Sequence, residues 1–223
     1  MSLILHIDTA LQNAYVGISM SEHLLLGLEN KQQNSHAAFV QPAIQQILKQ
    51  LQLHLTDIEA VGVTNGPGSY TGLRVGMASA KGICYALQKP LVAASTLEVL
   101  TLAAIEKFPG FDLYCPMIDA RRQEVYTALY NQYMITTHEP CAIILDEQTF
   151  AQHLSTSRIL FFGDGALKLW NILPANGNAY MENVAYNNHH LSQLMFKRFK
   201  SRQFLNLAYA EPFYIKDFYF GKS

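Results

Sequence analysis

A glycine-rich turn holds the residues of this sequence whose types and spacing come nearest to phosphate-binding chemistry. Within residues 60–76 a buried strand, a Gly/Pro turn and a helix opening on small residues follow one another, as at phosphate or partner sites of α/β proteins. Two phosphate motifs fail on spacing. A P-loop needs lysine where Leu73 follows Gly72, and the dinucleotide fingerprint needs a glycine at Thr71. The remaining interpretation is that the glycines serve close helix packing.

Metal chemistry is not indicated by the spacing of histidines and cysteines. His36 opens a predicted helix, but the position four residues later, where a second imidazole would share its face, is Val40. His189 and His190 are adjacent and point apart on a helix, and the three cysteines lie in apolar contexts without ligand spacing. We therefore predict no metal site, and we interpret His36 as a capping or surface residue.

The predicted helix 71–87 carries two stripes of small residues. The first consists of Gly72, Gly76 and Ala80, and the second of Ala78, Gly82 and Ala86. Glycine inside a helix costs about 0.5–1 kcal/mol relative to alanine, so another backbone close by is expected to compensate. That neighbour is either the domain's own sheet or a second subunit.

The elements that position these residues can be read from hydrophobic periodicity. Strands are predicted at Leu3–Ile7, Tyr15–Ser19, His23–Glu29, Ile58–Thr64 and Leu91–Ala94. Helices are predicted at His36–Leu51, at Thr71–Leu87 and, from the capping box Ser95-Thr-Leu-Glu98, to about Glu106. The order βββαβαβα is that of a ribonuclease H-like fold.

The second half of the chain looks like a reduced copy of the first. Ile7-Asp8 precedes Tyr15, and Ile118-Asp119 precedes Tyr126 at the same offset. Chance remains the alternative for so short a match. A strand over 158–162, the turn Gly163-Asp-Gly165, a loop over 171–188 and a helix over 189–202 complete this half. We predict an N-terminal domain over 1–107 and a second over 108–223, whose last helix can pack back on the first.

The run from Gly66 to Gly76 resembles the G-P-G-S-[FY]-T-G-[LV]-R-[IV]-G motif of the TsaB (YeaZ) family. Members of that family are a subunit of the bacterial machinery that makes threonylcarbamoyladenosine in tRNA. Further similar motifs follow in order along nearly the whole chain: Ile7-Asp-Thr9, Asn34-Ser-His36, Ala94-Ser-Thr-Leu97, Asp119–Tyr126, Gly163-Asp-Gly165 and Pro212–Lys216. The resemblance implies an α/β fold of two ribonuclease H-like domains of the actin/hexokinase/Hsp70 (ASKHA) type, the second reduced.

The resemblance also implies a function. Members are non-catalytic scaffold subunits that pair with the catalytic TsaD subunit, together with the ATPase TsaE, and meet tRNA only through the complex. The catalytic paralogue carries His-x-x-x-His where this chain has His36 and Val40. We accordingly expect no catalytic residue and no cofactor, and a homodimer when the chain is alone.

The expected partner surface lies on the two helices after the meander. We assign to it His36, Val40, Ile44, Gly72, Gly76 and Ala80. Gly76→Leu is then expected to weaken the heterodimer more than the fold, because it forces the paired helices apart.

Two alternatives to a scaffold remain open. In active members of the superfamily, strand-end aspartates and glycine-rich turns hold nucleotide and magnesium, which makes Asp8 and Asp119 weak cofactor-binding candidates. Asp8 equally suits a turn-capping role. A small-molecule kinase or a peptidase would be the enzymatic alternative. A binding module would hold a nucleotide in an interdomain cleft near Gly163 and Gly165.

Composition sets limits on partners and compartment. The chain has 223 residues, half of them hydrophobic, and a formal net charge of −1, without the basic surplus usual for proteins that grip nucleic acid unaided. The local basic cluster Lys197–Arg202 is a solvated helix face or, alternatively, a tRNA contact in a larger assembly. No apolar run approaches membrane-spanning length, so we expect a cytoplasmic protein.

Overall fold

A computed structural model describes residues 2–32 and 35–216. The strands are β1 (Leu3–Asp8), β2 (Ala14–Met20), β3 (His23–Asn30), β4 (Ala60–Thr64), β5 (Leu91–Ala94), β6 (Leu113–Asp119), β7 (Glu124–Tyr130), β8 (Thr136–Ile144), β9 (Ile159–Phe162), β10 (Ala179–Met181) and β11 (Phe204–Leu205). The α-helices are α1 (His36–Leu51), α2 (Tyr70–Leu87), α3 (Thr96–Lys107), α4 (Ala151–Leu154), α5 (Ala166–Trp170) and α6 (Asn188–Lys200). A 3-10 helix covers Leu55–Asp57. Asn34, part of one predicted motif, lies outside the described residues.

The chain divides into two compact units. Among the described residues, the first contains the chain up to Val99 together with Tyr186–Phe213, and the second contains Leu100–Ala185 together with residues 214–216. The division therefore falls within α3 rather than after residue 107, and α6 returns to the first unit.

The first unit is built on a six-stranded sheet with the order β11-β5-β4-β1-β2-β3. Strands β1, β2 and β3 form an antiparallel meander, whereas β4 and β5 run parallel to β1. Side chains alternate across each strand, so the two faces receive different partners. Ile7 lies beneath α2, and its neighbour His6 meets Ser192 of α6 on the opposite face.

The second unit repeats this topology. Its sheet has the order β10-β9-β6-β7-β8, with β6, β7 and β8 antiparallel and β9 and β10 parallel to β6. Counted from its own first strand, each sheet contains the order 3-2-1-4-5, which is the ribonuclease H-like order. The predicted duplication is thus confirmed at the level of topology, and so is the predicted α/β fold class.

The local match between the two halves is offset by one residue. Asp8 pairs with Tyr15 across the first hairpin, but Asp119 pairs with Val125 across the second, and Tyr126 pairs with Ile118. The second turn is one residue shorter, so the equal spacing in the sequence does not mark equivalent positions.

Each unit has its own apolar core. In the first, residues of β1, β4, α1 and α2 such as Ile7, Val63, Ile44 and Met77 form one cluster. In the second, Met117, Phe161 and their neighbours form another. Among residues 2–32 and 35–216, the structure has no helix whose length and apolar character would suit a membrane crossing.

Candidate functional site

The glycine-rich turn between β4 and α2 packs directly against the turn that follows β1. A Cβ at Gly68 would overlap the carbonyl oxygen of Ala10, and one at Gly72 would overlap that of Thr9. Thr9 Oγ1 donates a hydrogen bond to the Gly72 carbonyl at 2.6 Å, and the Ser69 amide donates to the Ala10 carbonyl at 2.7 Å. The glycines therefore permit close packing within the unit, and the chain's own backbone fills the space where a phosphate could lie.

Asp8 ends β1 with its side chain buried beside this turn. Its Oδ1 accepts a hydrogen bond from the Ala10 amide at 2.8 Å, and its Oδ2 accepts one from the Tyr186 hydroxyl at 2.6 Å. Burial raises the pKa of this carboxyl, while the Tyr186 and Ala10 bonds act in the opposite direction. Asp8 thus holds the turn in place, and Tyr186 covers the oxygen that a nucleotide-bound cation would need.

Asp119 lies at the corresponding end of β6, and its side chain is paired with other residues of the second unit. Lys168 Nζ lies 2.7 Å from its Oδ1, and the Arg121 amide donates to the same oxygen at 2.6 Å. Burial opposes its ionisation, but the Lys168 ammonium and the Arg121 amide hold its pKa below the ordinary value. The backbone amide of Asp119 donates to Asp164 Oδ1 at 2.9 Å, which ties β6 to the next turn.

The Gly163-Asp164-Gly165 turn uses its glycines for contact with β6. Gly163 has φ of +99°, and a Cβ there would overlap the Met117 carbonyl oxygen. The Gly165 amide donates to that same carbonyl at 3.0 Å. These contacts account for both glycines within the second unit, as an ordinary turn before a helix would.

His36 is buried at the start of α1, and its Nε2 lies 3.1 Å from the Leu11 carbonyl oxygen. It therefore ties α1 to the β1–β2 turn, and its prediction as a capping or surface residue is wrong. In the chain as described, 2–32 and 35–216, no group of three or more His, Cys, Asp or Glu side chains is arranged to hold a metal ion.

The predicted partner surface is not at the surface of this chain. All six of its residues are buried within the first unit: His36, Val40, Ile44, Gly72, Gly76 and Ala80. A Cβ at Gly76 would lie 2.5 Å from Thr9 Oγ1 and 3.5 Å from Val63 Cγ2. The first stripe of α2 thus packs on the chain's own sheet, so Gly76→Leu would disrupt the fold and cannot report on a partner.

The second stripe of α2 has the opposite environment. Ala78, Gly82 and Ala86 are exposed, and nothing lies within 4 Å of a Cβ built at Gly82. Tyr85, on the same side of the helix, has 80% of its surface exposed. We call Ala78, Gly82, Tyr85 and Ala86 the outer α2 face. Periodicity identified three of these residues as a stripe, but only the fold separates the covered stripe from the open one.

Tyr186 and Lys168 were missed by sequence reasoning. Each lies far along the chain from the aspartate that it contacts, Asp8 and Asp119 respectively. No local spacing links members of such pairs, so only the three-dimensional contact identifies them.

Comparison with known proteins places this geometry in a family. The family model TsaD: tRNA N6-adenosine threonylcarbamoyltransferase matches residues 30–162. The tRNA threonylcarbamoyladenosine biosynthesis protein TsaB of Bacillus subtilis (strain 168) is 35% identical over 57% of this chain and 54% of that protein. The TsaB protein of Escherichia coli (strain K12) is 37% identical over 44% of this chain and 42% of that protein. The chain therefore spans about half the length of the curated relatives that it matches.

Solved structures agree in fold over a longer span. YeaZ from Pseudomonas aeruginosa superposes with a TM-score of 0.80 over 96% of this chain and 100% of that one, at 21% identity. Another P. aeruginosa protein, described as similar to peptidase YeaZ, gives a TM-score of 0.84 over 97% and 100%, also at 21% identity. At that identity the likeness shows the fold alone. The family model matches more than half of the chain, which therefore belongs to the TsaD family, and the TsaB proteins and YeaZ named above are relatives that it resembles.

Proposed function

We propose that this protein is a non-catalytic subunit in the biosynthesis of threonylcarbamoyladenosine in tRNA. The observation that carries the proposal is the closed end of β1. Asp8 is buried beneath the Tyr186 hydroxyl, and the adjoining turn is filled by the backbone at Gly72. A magnesium-bound nucleotide would need that carboxylate and the space beside it. A chain with this strand end closed supports the reaction through another subunit.

The catalytic TsaD subunit is the partner that we assign to it. The chain and TsaD share a family model, so a surface through which the chain pairs with itself would resemble one through which it pairs with its paralogue. The ATPase TsaE and the tRNA enter the proposal through that pair, each meeting the assembled complex.

The outer α2 face is the surface that we assign to the pairing. Gly72 and Gly76 are accounted for by contacts within the chain, but Gly82 is not. A glycine inside a helix costs about 0.5–1 kcal/mol relative to alanine, and in the isolated chain nothing at Gly82 offsets that cost. The close approach of a partner helix would offset it. Tyr85, an exposed aromatic residue beside this gap, is of the type that is enriched at interfaces.

Light scattering after gel filtration tests the pairing, on this chain alone and mixed with TsaD from the same organism. We expect a stable one-to-one complex. Gly82→Leu should weaken it about tenfold or more, because a loss of about 1.4 kcal/mol in close helix packing suffices for that factor. Gly177→Leu is the matched control, since a Cβ at that exposed glycine also meets open space but lies in the second unit.

Two outcomes would overturn parts of the proposal. No complex over a wide concentration range, with or without nucleotide and TsaE, would remove the scaffold function. Equal behaviour of the Gly82→Leu and Gly177→Leu variants would leave the function standing but remove the outer α2 face as its surface.

A further inference from the structure

A groove of about 520 Å³ lies on the first unit, between the β2–β3 turn and α6. Its lining includes two lysines, two histidines, one phenylalanine and one glutamate: Lys197, Lys200, His23, His189, Phe196 and Glu22. The α6 members follow one another at positions i, i+7, i+8 and i+11 from His189, so they share one face of the helix. We call this the α6 groove.

The charge of the α6 groove comes from two of the basic residues that the sequence clusters between 197 and 202. Arg198 faces elsewhere, because its guanidinium pairs with the Glu98 carboxylate. Lys197 and Lys200 are exposed, and in the described part of the chain neither ammonium group has an ion-pair or hydrogen-bond partner. Both lie in the last turn of α6, at i and i+3 on one face.

The rest of the lining suits a ligand with flat aromatic parts. Phe196 is half-buried in the groove, and the rings of His189 and His23 are exposed. Gln193 Nε2 lies 2.9 Å from His189 Nε2, which orients that ring. Nucleobases stack on such rings while lysines contact the phosphates between them, as in proteins that bind single-stranded RNA.

We infer that the α6 groove binds the sugar-phosphate backbone of RNA, with Lys197 and Lys200 contacting phosphates and Phe196 and His189 offering stacking surfaces. Two exposed lysines one helical turn apart can each contact a phosphate of an extended chain. That the RNA is a tRNA rests on the proposed function, whereas RNA binding itself is a property of this chain alone. Glu22 is the one carboxylate among the residues lining the groove, and it opposes binding.

Equilibrium binding of the full chain to an unmodified tRNA transcript that reads an ANN codon tests the inference. The measurement is made without TsaD, from about 50 mM salt upward, where phosphate contacts contribute most. The Lys197→Gln/Lys200→Gln double variant should bind about tenfold more weakly at low salt. Its slope of log K against log salt should be smaller by about 1.5 to 2, for two lost phosphate contacts.

The controls separate the groove from general charge. Lys49 is an exposed lysine in the last turn of α1, in the same unit. Lys49→Gln should leave both the affinity at low salt and the salt slope almost unchanged. Glu22→Gln should strengthen binding. Millimolar ATP or inorganic phosphate should compete poorly with tRNA.

Several outcomes would overturn the inference. The parent chain could fail to bind tRNA at low salt, or the double variant could keep the parent's salt slope. Lys49→Gln could weaken binding as much as the double variant does. Millimolar ATP or inorganic phosphate could displace the tRNA. Loss of the TsaD complex with intact tRNA binding would instead overturn only the proposed function.

Discussion

His6 lies in the middle of β1 with its imidazole fully buried against α6. Its Nε2 is 3.2 Å from Ser192 Oγ, and the hydroxyl of Ser192 donates to the Asn188 carbonyl at 2.8 Å. Glycines opposite leave the room for this polar cluster, since a Cβ at Gly17 would overlap the imidazole ring of His6. Burial lowers the pKa of His6 to about 3, because an imidazolium there would lose its hydration.

This burial should make the stability of the first unit depend on pH. The folded pKa of His6 lies below its unfolded value of about 6.5, so the unfolded chain binds the additional proton between those values. The free energy of unfolding should therefore fall as the pH drops below about 6.5, by up to about 1.4 kcal/mol per pH unit. Urea unfolding between about pH 7 and pH 5 measures this slope.

His6→Gln is the matched variant, because it keeps a polar group near Ser192 but does not titrate. Burial raises the pKa of Asp8, and that shift alters stability in the opposite sense, since it favours the folded state as the pH falls. The difference between parent and variant therefore isolates His6. Parallel pH profiles for the two proteins would contradict the prediction.

At the scale of the element, α2 carries two stripes of small residues that serve opposite purposes. The first stripe, with Gly72 and Gly76, allows α2 to approach the β1–β2 turn. The second stripe leaves Gly82 exposed to solvent. Alanine substitution at the two glycines should separate these roles. Gly82→Ala should raise the free energy of unfolding by about 0.5–1 kcal/mol, from helix propensity alone.

Gly76→Ala should instead lower the free energy of unfolding by about 1–3 kcal/mol, because the new methyl group would lie 2.5 Å from Thr9 Oγ1. Thermal or urea unfolding of the isolated chain measures both effects. Destabilisation by Gly82→Ala, or tolerance of Gly76→Ala, would show that the two stripes have been assigned to the wrong environments.

Sequence periodicity predicted many elements because their signals are local. The bounds of α1 and β5 coincide with the predicted ones, and the capping box at α3 is present: the Ser95 amide donates to Glu98 Oε2 at 2.8 Å. Strand β10 was missed, since its three residues lie in a segment rich in Asn, Gly and Tyr and are stabilised by pairing with β9. The burial of the predicted partner residues was missed because a helical stripe does not reveal what covers it.

At the scale of the whole molecule, the two units repeat one sheet order, 3-2-1-4-5. The sequence suggested this duplication from Asp8 and Asp119. It did not give the register, which depends on the one-residue difference between the two hairpin turns. It placed the end of the first domain at residue 107, before the Gly/Pro signal of residues 108–110, and it allowed the last helix to pack back on the first domain. The contacts put the division between Val99 and Leu100 and assign Tyr186–Phe213 to the first unit.

If one surface serves both self-association and pairing with TsaD, these two associations should compete. We expect a concentration-dependent dimer of the chain alone, and we expect added TsaD to convert it into the one-to-one complex. Sedimentation velocity of the parent and of Gly82→Leu, with and without TsaD, measures both equilibria. A ternary species that retains the homodimer would show that the two associations use different surfaces.

The discontinuity of the first unit has a consequence for synthesis. Helix α6, which covers the His6 face of the first sheet, follows the whole of Leu100–Ala185 in the chain. The growing polypeptide must therefore carry that sheet face uncovered on the ribosome until residues 186–213 emerge, although the second unit has by then been almost entirely made. Since domains usually complete in the order of their translation, this protein finishes its N-terminal unit late, and a nascent chain stalled before α6 would expose an unfinished sheet to chaperones.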